Sequence, residues 1–307
     1  MPDGAVDLTT TIGSVTLTGP VMTASGTAGH GAELADFFDL DEIGAVVVKS
    51  LAPYPWDGNP APRVHETAAG MINSVGLQGP GVEAWRRDEL PALRATGATV
   101  VASIWGRTLD DYRQAAEQLA GVEGVTALEV NVSCPNLEDR RRMFAHDPDM
   151  AASVVEAASA AGLPMWAKLS PNCTDVTEIA GAVAAAGADA VTLANTVMGL
   201  VIDVETRRPV LGAGGGGMSG PGIRPVAVRA VYETRAAHPD LPIIGVGGVA
   251  RAEHAVEFLL AGASAVQVGT AAFADPRAST LVQRGLADWC RRHDVASVSD
   301  LVGAAHN

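Results

Sequence analysis

The sequence predicts an α/β fold, a (β/α)8 barrel with an N-terminal β-hairpin and long loops on the C-terminal face. Short apolar, β-branched runs recur eight times: VMTAS at 21–25, AVVVKS at 45–50, TVVASI at 99–104, ALEVNV at 127–132, MWAKLS at 165–170, AVTLANT at 190–196, PIIGVGG at 242–248 and AVQVGT at 265–270. Runs of this kind suit strands of a parallel sheet that is covered on both faces. Between most of them lie Ala/Glu/Arg-rich stretches with helical spacing, such as LDDYRQAAEQLAG, MAASVVEAASAAG, VTEIAGAVAAAG and RAEHAVEFLLAG. Most end in Gly, the usual residue just past a helix. Eight strands alternating with helices in one chain point to a closed barrel. A doubly wound open sheet would carry a Gly-rich turn after its first strand, and nothing like G-x-G-x-x-G follows VMTAS.

Taken in order, residues 5–18 alternate apolar residues with Thr and Ser around Ile12 and Gly13, which predicts a β-hairpin capping one end of the main fold. The strand–helix rhythm then begins. IGAVVV, TGATVV, AGADAV and AGASAV all put Gly-Ala just before a strand. Two connections, 50–84 and 197–222, exceed ordinary loop length. Long insertions after barrel strands lie on the catalytic face and usually serve function.

Composition narrows the class. The chain has 307 residues, 48% of them hydrophobic, enough for a large core and read as one domain spanning 1–307. A net charge of −14 argues against nucleic acid as a partner and against a basic membrane-binding face. Cys134, Cys173 and Cys290 show no C-x-x-C pairing and no His spacing for a metal, as expected of reduced thiols in a cytoplasm. No signal peptide is visible, and the Ala-rich stretch 180–194 is too interrupted to span a bilayer.

The predicted C-terminal strand ends carry Ser25, Lys49, Ser103, Asn131, Lys168, Asn195 with Thr196, Gly247 with Gly248, and Gly269 with Thr270. In a barrel these converge on one mouth. Glycines after strands seven and eight suit a phosphate, because bare backbone N–H groups approach an anion closely; tight turns are the plainer explanation. Lys49 and Lys168 end apolar strands, where an unpaired charge is costly, and are expected to meet anionic ligand groups unless the rim merely solvates them. Asn73, Asn131 and Asn195 offer donor and acceptor together, as an imide or amide ligand needs, although each alone is more often a turn residue. Cys134, in LEVNVSCPN, follows a strand end among amides and suits catalysis; on the motif alone it reads equally as a small buried hydrophobe.

GNPAPRVHETAAGMINSVGLQGPG, LEVNVSCPN, WAKLSPN, TLANT, GGGMSGP, GVGGV and AVQVGTA occur in this order and together resemble the class 1B dihydroorotate dehydrogenases, from about Val6 to Phe273. KLSPN resembles that branch more than the fumarate-using class 1A. The resemblance implies an FMN-containing barrel that oxidises dihydroorotate to orotate in pyrimidine synthesis. It makes Cys134 the base that removes a proton from the substrate carbon beside a carbonyl, with hydride passing to flavin N5. Lys168 would stabilise the negative charge of reduced flavin. Lys49, Asn73, Ser74, Val75, Gly76, Leu77, Asn131, Asn195 and Thr196 would hold the substrate. Ser25, Lys49, Ser50, Ser103, Asn131, Lys168, Ala194, Gly220, Gly247, Gly248, Gly269 and Thr270 would hold FMN. The family further implies a homodimer working with a second subunit that carries FAD and a 2Fe-2S cluster and delivers electrons to NAD.

Two departures stand out. After Cys134 the family carries a lid with a Gly pair and Phe-Gly, whereas this chain has Arg140, Arg141 and Arg142 near the glycine positions and Ala145 after Phe144. These arginines are either a solvated face or partners for a substrate carboxylate. In ASIWG, Ser103 stands where the family usually has Asn, which predicts a lost contact to flavin or substrate, and Trp105 adds bulk. Three rival readings remain: a flavoenzyme for another dihydropyrimidine such as dihydrouracil, an aldolase with Lys168 as Schiff-base nucleophile, and a barrel retained as a non-catalytic subunit.

Overall fold

In the computed structural model, residues 6–133 and 144–306 are described. The eight predicted runs all form strands: β1 Val21–Thr23, β2 Val46–Val47, β3 Val100–Ile104, β4 Val125–Asn131, β5 Met165–Lys168, β6 Ala190–Leu193, β7 Ile243–Val246 and β8 Ala265–Val268. They pair in parallel in the sequential order expected of a (β/α)8 barrel, and β8 returns to β1 with Val266 opposite Val21. The ring closes where Thr23 N donates to Ala45 O at 3.2 Å beside the Met22–Ala45 bridge.

Helices between the strands cover the outside. Helix Leu109–Leu119 starts at Thr108, whose hydroxyl accepts from the Asp111 amide while the Asp111 side chain returns the contact, satisfying N–H groups the helix itself leaves open. Asp147 and Asp175 open the helices Pro148–Ala158 and Val176–Ala185 in the same way, through side-chain caps. The glycine endings read from the sequence are real turn positions: Gly187 has φ of 103°, a value that L side chains rarely adopt. Among the described residues no helix is long and apolar enough to cross a membrane.

The hairpin also forms, from Thr10–Ile12 and Val15–Leu17, with Ile12 opposite Val15. Its buried Ile12, Val15 and Leu17 pack with Met22, Ala45, Val47, Val101, Ala127, Trp166, Ala190, Ile244 and Ala265. This cluster is the apolar floor of the barrel, and the hairpin plugs its N-terminal end as predicted.

The two long insertions meet each other. Strands Val64–Thr67 and Gly70–Asn73 from the first pair with Gly216–Ser219 and Val197–Gly199 from the second in one antiparallel sheet of four strands. Asn73 stands opposite Gly217, and the Gly216–Ser219 strand runs straight into Gly220 at the C-terminal side of the barrel. The insertions thus cover the face onto which the expected site residues converge.

Candidate active site

Side chains alternate inward and outward along each strand, so Ala127 in the barrel floor places Glu129 and then Asn131 successively higher on the same inner face. The same period raises Lys168 above Trp166, Ser103 above Val101, and Gln267 above Ala265. These residues form a polar layer over the apolar floor. Glu129, Ser103, Thr192 and Gln267 are all fully buried there. Lys168 Nζ lies 3.2 Å from Glu129 Oε1 and 3.4 Å from Gln267 Oε1. Gln267 Nε2 donates to Glu129 Oε2 at 2.6 Å, and Ser103 Oγ donates to Glu129 Oε1 at 3.3 Å.

This geometry adds to one expectation and revises another. Lys168, expected to meet a ligand anion, also has a counter-ion within the protein, Glu129, because β4 and β5 are neighbours in the barrel. Ser103 was expected at the rim but lies inside the barrel, joined to Ser50 Oγ at 2.9 Å, which in turn meets Ser25 Oγ at 3.0 Å. Trp105 does not crowd the mouth as an isolated ring. It is buried with Ala52 and packs edge-on to Trp56, their ring centroids 6.1 Å apart.

Higher up, Asn195 Nδ2 donates to Asn131 Oδ1 at 3.3 Å, so these two carboxamides sit side by side. Asn195 Oδ1 also accepts from the Thr196 amide at 2.8 Å, which fixes the orientation of its side chain. Tyr112 OH donates to the Asn131 carbonyl at 2.7 Å and stacks edge-on against Phe144, tying the strand end to the residue where the described chain resumes. Cys134, Arg140, Arg141 and Arg142 lie outside the described residues. Asn73 Nδ2 donates to Gly217 O at 3.3 Å within the overlying sheet. Segment 74–77 is laced to the start of its own insertion: Ser74 Oγ accepts from Asn59 Nδ2 at 2.8 Å, Val75 O from Asn59 N at 3.0 Å and Gly76 O from Trp56 Nε1 at 3.0 Å. Leu77 packs against the Ala52 and Trp105 cluster.

Lys49, half-buried at the end of the second run, stands close enough to His30 to affect it. Burial first, and then the Lys49 ammonium, hold the His30 imidazole below its ordinary pKa, while Glu33 pulls the other way. Ala194 is buried and donates its amide to Val246 O at 2.9 Å, within the β6–β7 seam.

Of the glycine group, Gly220, Gly248 and Thr270 line a cavity of about 420 Å³ that Pro221, Ala271 and Leu281 help to enclose. A Cβ on Gly248 would stand 2.8 Å from Gly220 O, and one on Gly220 would stand 2.7 Å from Gly70 Cα. Bare backbone is therefore required at both. Thr270 Oγ1 donates to Ser219 Oγ at 2.8 Å, joining the eighth strand's loop to the overlying sheet. Gly247 is buried against Ala227 and Ile223, and Gly269 sits beside Ala24. A larger open groove of about 650 Å³ lies outside it, sharing Ala250 and Leu281, and contains none of the expected site residues. The smaller cavity is the one placed at the strand ends, where barrel chemistry occurs.

Glu129 and Gln267 are the residues that reading the sequence missed. The available signal was parity: each lies two residues from a position already assigned to the inner face, inside a run taken as apolar.

A barrel with a buried cation beneath its mouth, paired carboxamides above and a glycine-lined cavity alongside has the parts of an enzyme acting on a polar small molecule. The family model for dihydroorotate dehydrogenase matches residues 7–289. Curated relatives named "dihydroorotate dehydrogenase B (NAD(+)), catalytic subunit" align along nearly their whole length. The one from Desulforudis audaxviator is 51% identical over 96% of this chain and 96% of its own. Those from Geobacter sp. strain M21 and Alkaliphilus oremlandii are 46% and 45% identical, over 97% and 95% of this chain and 98% and 96% of theirs. The chain belongs to the dihydroorotate dehydrogenase family.

Proposed function

We propose that this chain is the FMN-bearing catalytic subunit of a two-component dihydroorotate dehydrogenase, oxidising dihydroorotate to orotate in cytoplasmic pyrimidine synthesis. The observation that carries the reading is the stacking of functions at one mouth: the Lys168–Glu129 pair below, and the Asn131–Asn195 pair above. The residues present fit a flavin nucleotide. Gly220 and Gly248 line a cavity where bare backbone, which neighbouring chain leaves no room to substitute, can approach a phosphate closely. Lys168 supplies fixed positive charge where negative charge develops.

In this reading Ser25, Ser50, Ser103, Lys168, Ala194, Gly220, Gly247, Gly248, Gly269 and Thr270 hold FMN, with Lys49 and Asn131 serving both FMN and the substrate. Bound there, FMN supplies the hydride acceptor, its N5. Asn73, Asn131, Asn195 and Thr196 orient the substrate imide, each carboxamide matching a donor and an acceptor. Ser74, Val75, Gly76 and Leu77 bound the substrate from the overlying insertion. Cys134 takes the proton from the carbon beside the substrate carbonyl, a role resting on the sequence motif. The chain works as a homodimer with an electron-transfer subunit carrying FAD and a 2Fe-2S cluster, which passes the electrons to NAD.

Cofactor content tests the reading. Purified protein should be yellow and should release close to one FMN per chain, and no FAD, on denaturation. Colourless protein that FMN does not reconstitute would contradict it.

A further inference from the structure

The interior polar layer is more than the reaction as assigned requires. Glu129 has no exposed surface, and its neighbours along the inner face are Ala127 below and Asn131 above. A buried carboxylate is costly unless it is both paired and hydrogen-bonded, and apolar residues of similar volume often fill such positions with equal or better stability. Here the compensation is complete. Oε1 receives Lys168 and Ser103, Oε2 receives Gln267, and Gln267 Oε1 approaches Lys168 in turn. Strands β4, β5 and β8 thereby close a triangle across the barrel. The pair is also oriented: the Lys168 side chain keeps 7% of its surface exposed and that of Glu129 keeps none, so the positive end lies nearer the mouth.

We propose that Glu129 is a positioning residue that anchors Lys168 and partly offsets its charge, setting how strongly that charge favours reduction of the bound flavin. The inference rests on the FMN reading above. Oxidised flavin takes up two electrons and one proton to become an anion, and a nearby cation would favour that anion. With Glu129 ionised behind it, Lys168 acts as one end of a dipole whose field falls off faster than that of a lone charge. Removing the carboxylate's charge while keeping its shape leaves the ammonium uncompensated, and its pull on the anion grows.

The test is an anaerobic titration of flavin against a reference dye in holoprotein, comparing wild type with Glu129→Gln and Glu129→Asp. At a fixed dye potential the ratio of reduced to oxidised flavin should rise about tenfold in Glu129→Gln, roughly 30 mV for a two-electron couple. Glu129→Asp, which keeps the charge, should remain near wild type. Should Glu129→Gln fail to fold, Glu129→Ala removes the same charge and carries the same expectation. An unchanged or lowered ratio in the charge-removing variants would overturn the proposal. So would loss of FMN from both of them with retention in Glu129→Asp, which would mark Glu129 as needed for assembly of the barrel. Absence of flavin from wild type as well would instead refute the FMN reading.

Discussion

His30 and the two described cysteines show how single residues divide between chemistry and support. The His30 imidazole is held below its ordinary value of 6.5, by burial first and by Lys49 second, and its buried Nε2 has no hydrogen-bond partner among the described residues. The unfolded chain therefore binds a proton at a pH where the folded chain does not. Stability is intact above about 6.5 and falls as pH is lowered through the depressed folded-state value, below which the loss is complete. His30→Gln should show a smaller drop in melting temperature between about pH 7 and pH 5 than wild type; equal drops would exclude this source. Burial pushes the thiols of Cys173 and Cys290 upward, away from the thiolate a base requires. Replacing either with Ala should leave flavin reduction unchanged, whereas Cys134→Ala should keep FMN and slow reduction by on the order of a hundredfold in stopped flow. At this scale the sequence was partly legible. Lys168, Asn131 and Asn195 stand out because polar groups end apolar runs. Glu129 and Gln267 do not, since their meaning comes from partners 39 and 138 residues apart that only barrel curvature brings together.

Among the elements, the barrel strands were the most legible, because burial on both faces leaves a continuous apolar run in the sequence. Their extents were less so: of AVVVKS only Val46–Val47 forms a regular strand, with Ala45 bridging Met22 and Val48 N donating to Val101 O on either side of it. The hairpin's role as a plug followed from alternation that places Ile12, Val15 and Leu17 on one face. Ile12 is fully buried against Trp166 and its neighbours, so Ile12→Ala should cost about 2–5 kcal/mol by urea denaturation. A cost below about 1 kcal/mol would mean the floor closes without it. The sheet formed by the two insertions could not be read in advance. Its central pairing, Asn73 with Gly217, spans 144 residues and joins segments with weak strand character, rich in glycine. Local propensity is silent about such pairings, because cross-strand partners rather than the segment itself stabilise them.

For the whole molecule, the family and the fold were accessible from the order of motifs along the chain; the relatives agree with the family, and the strand order agrees with the fold. The proposed division of labour between subunits has a direct consequence. The isolated chain should reduce artificial acceptors or oxygen but not NAD efficiently until an iron–sulfur flavoprotein is added; efficient NAD reduction by the chain alone would refute the two-component reading. The most direct test of the central claim is anaerobic mixing of purified chain with dihydroorotate while the visible flavin band is followed. Bleaching of the band, with one orotate formed per flavin and little response to dihydrouracil, is the result predicted. A flavin that stays oxidised with dihydroorotate, or that bleaches with dihydrouracil instead, would contradict it.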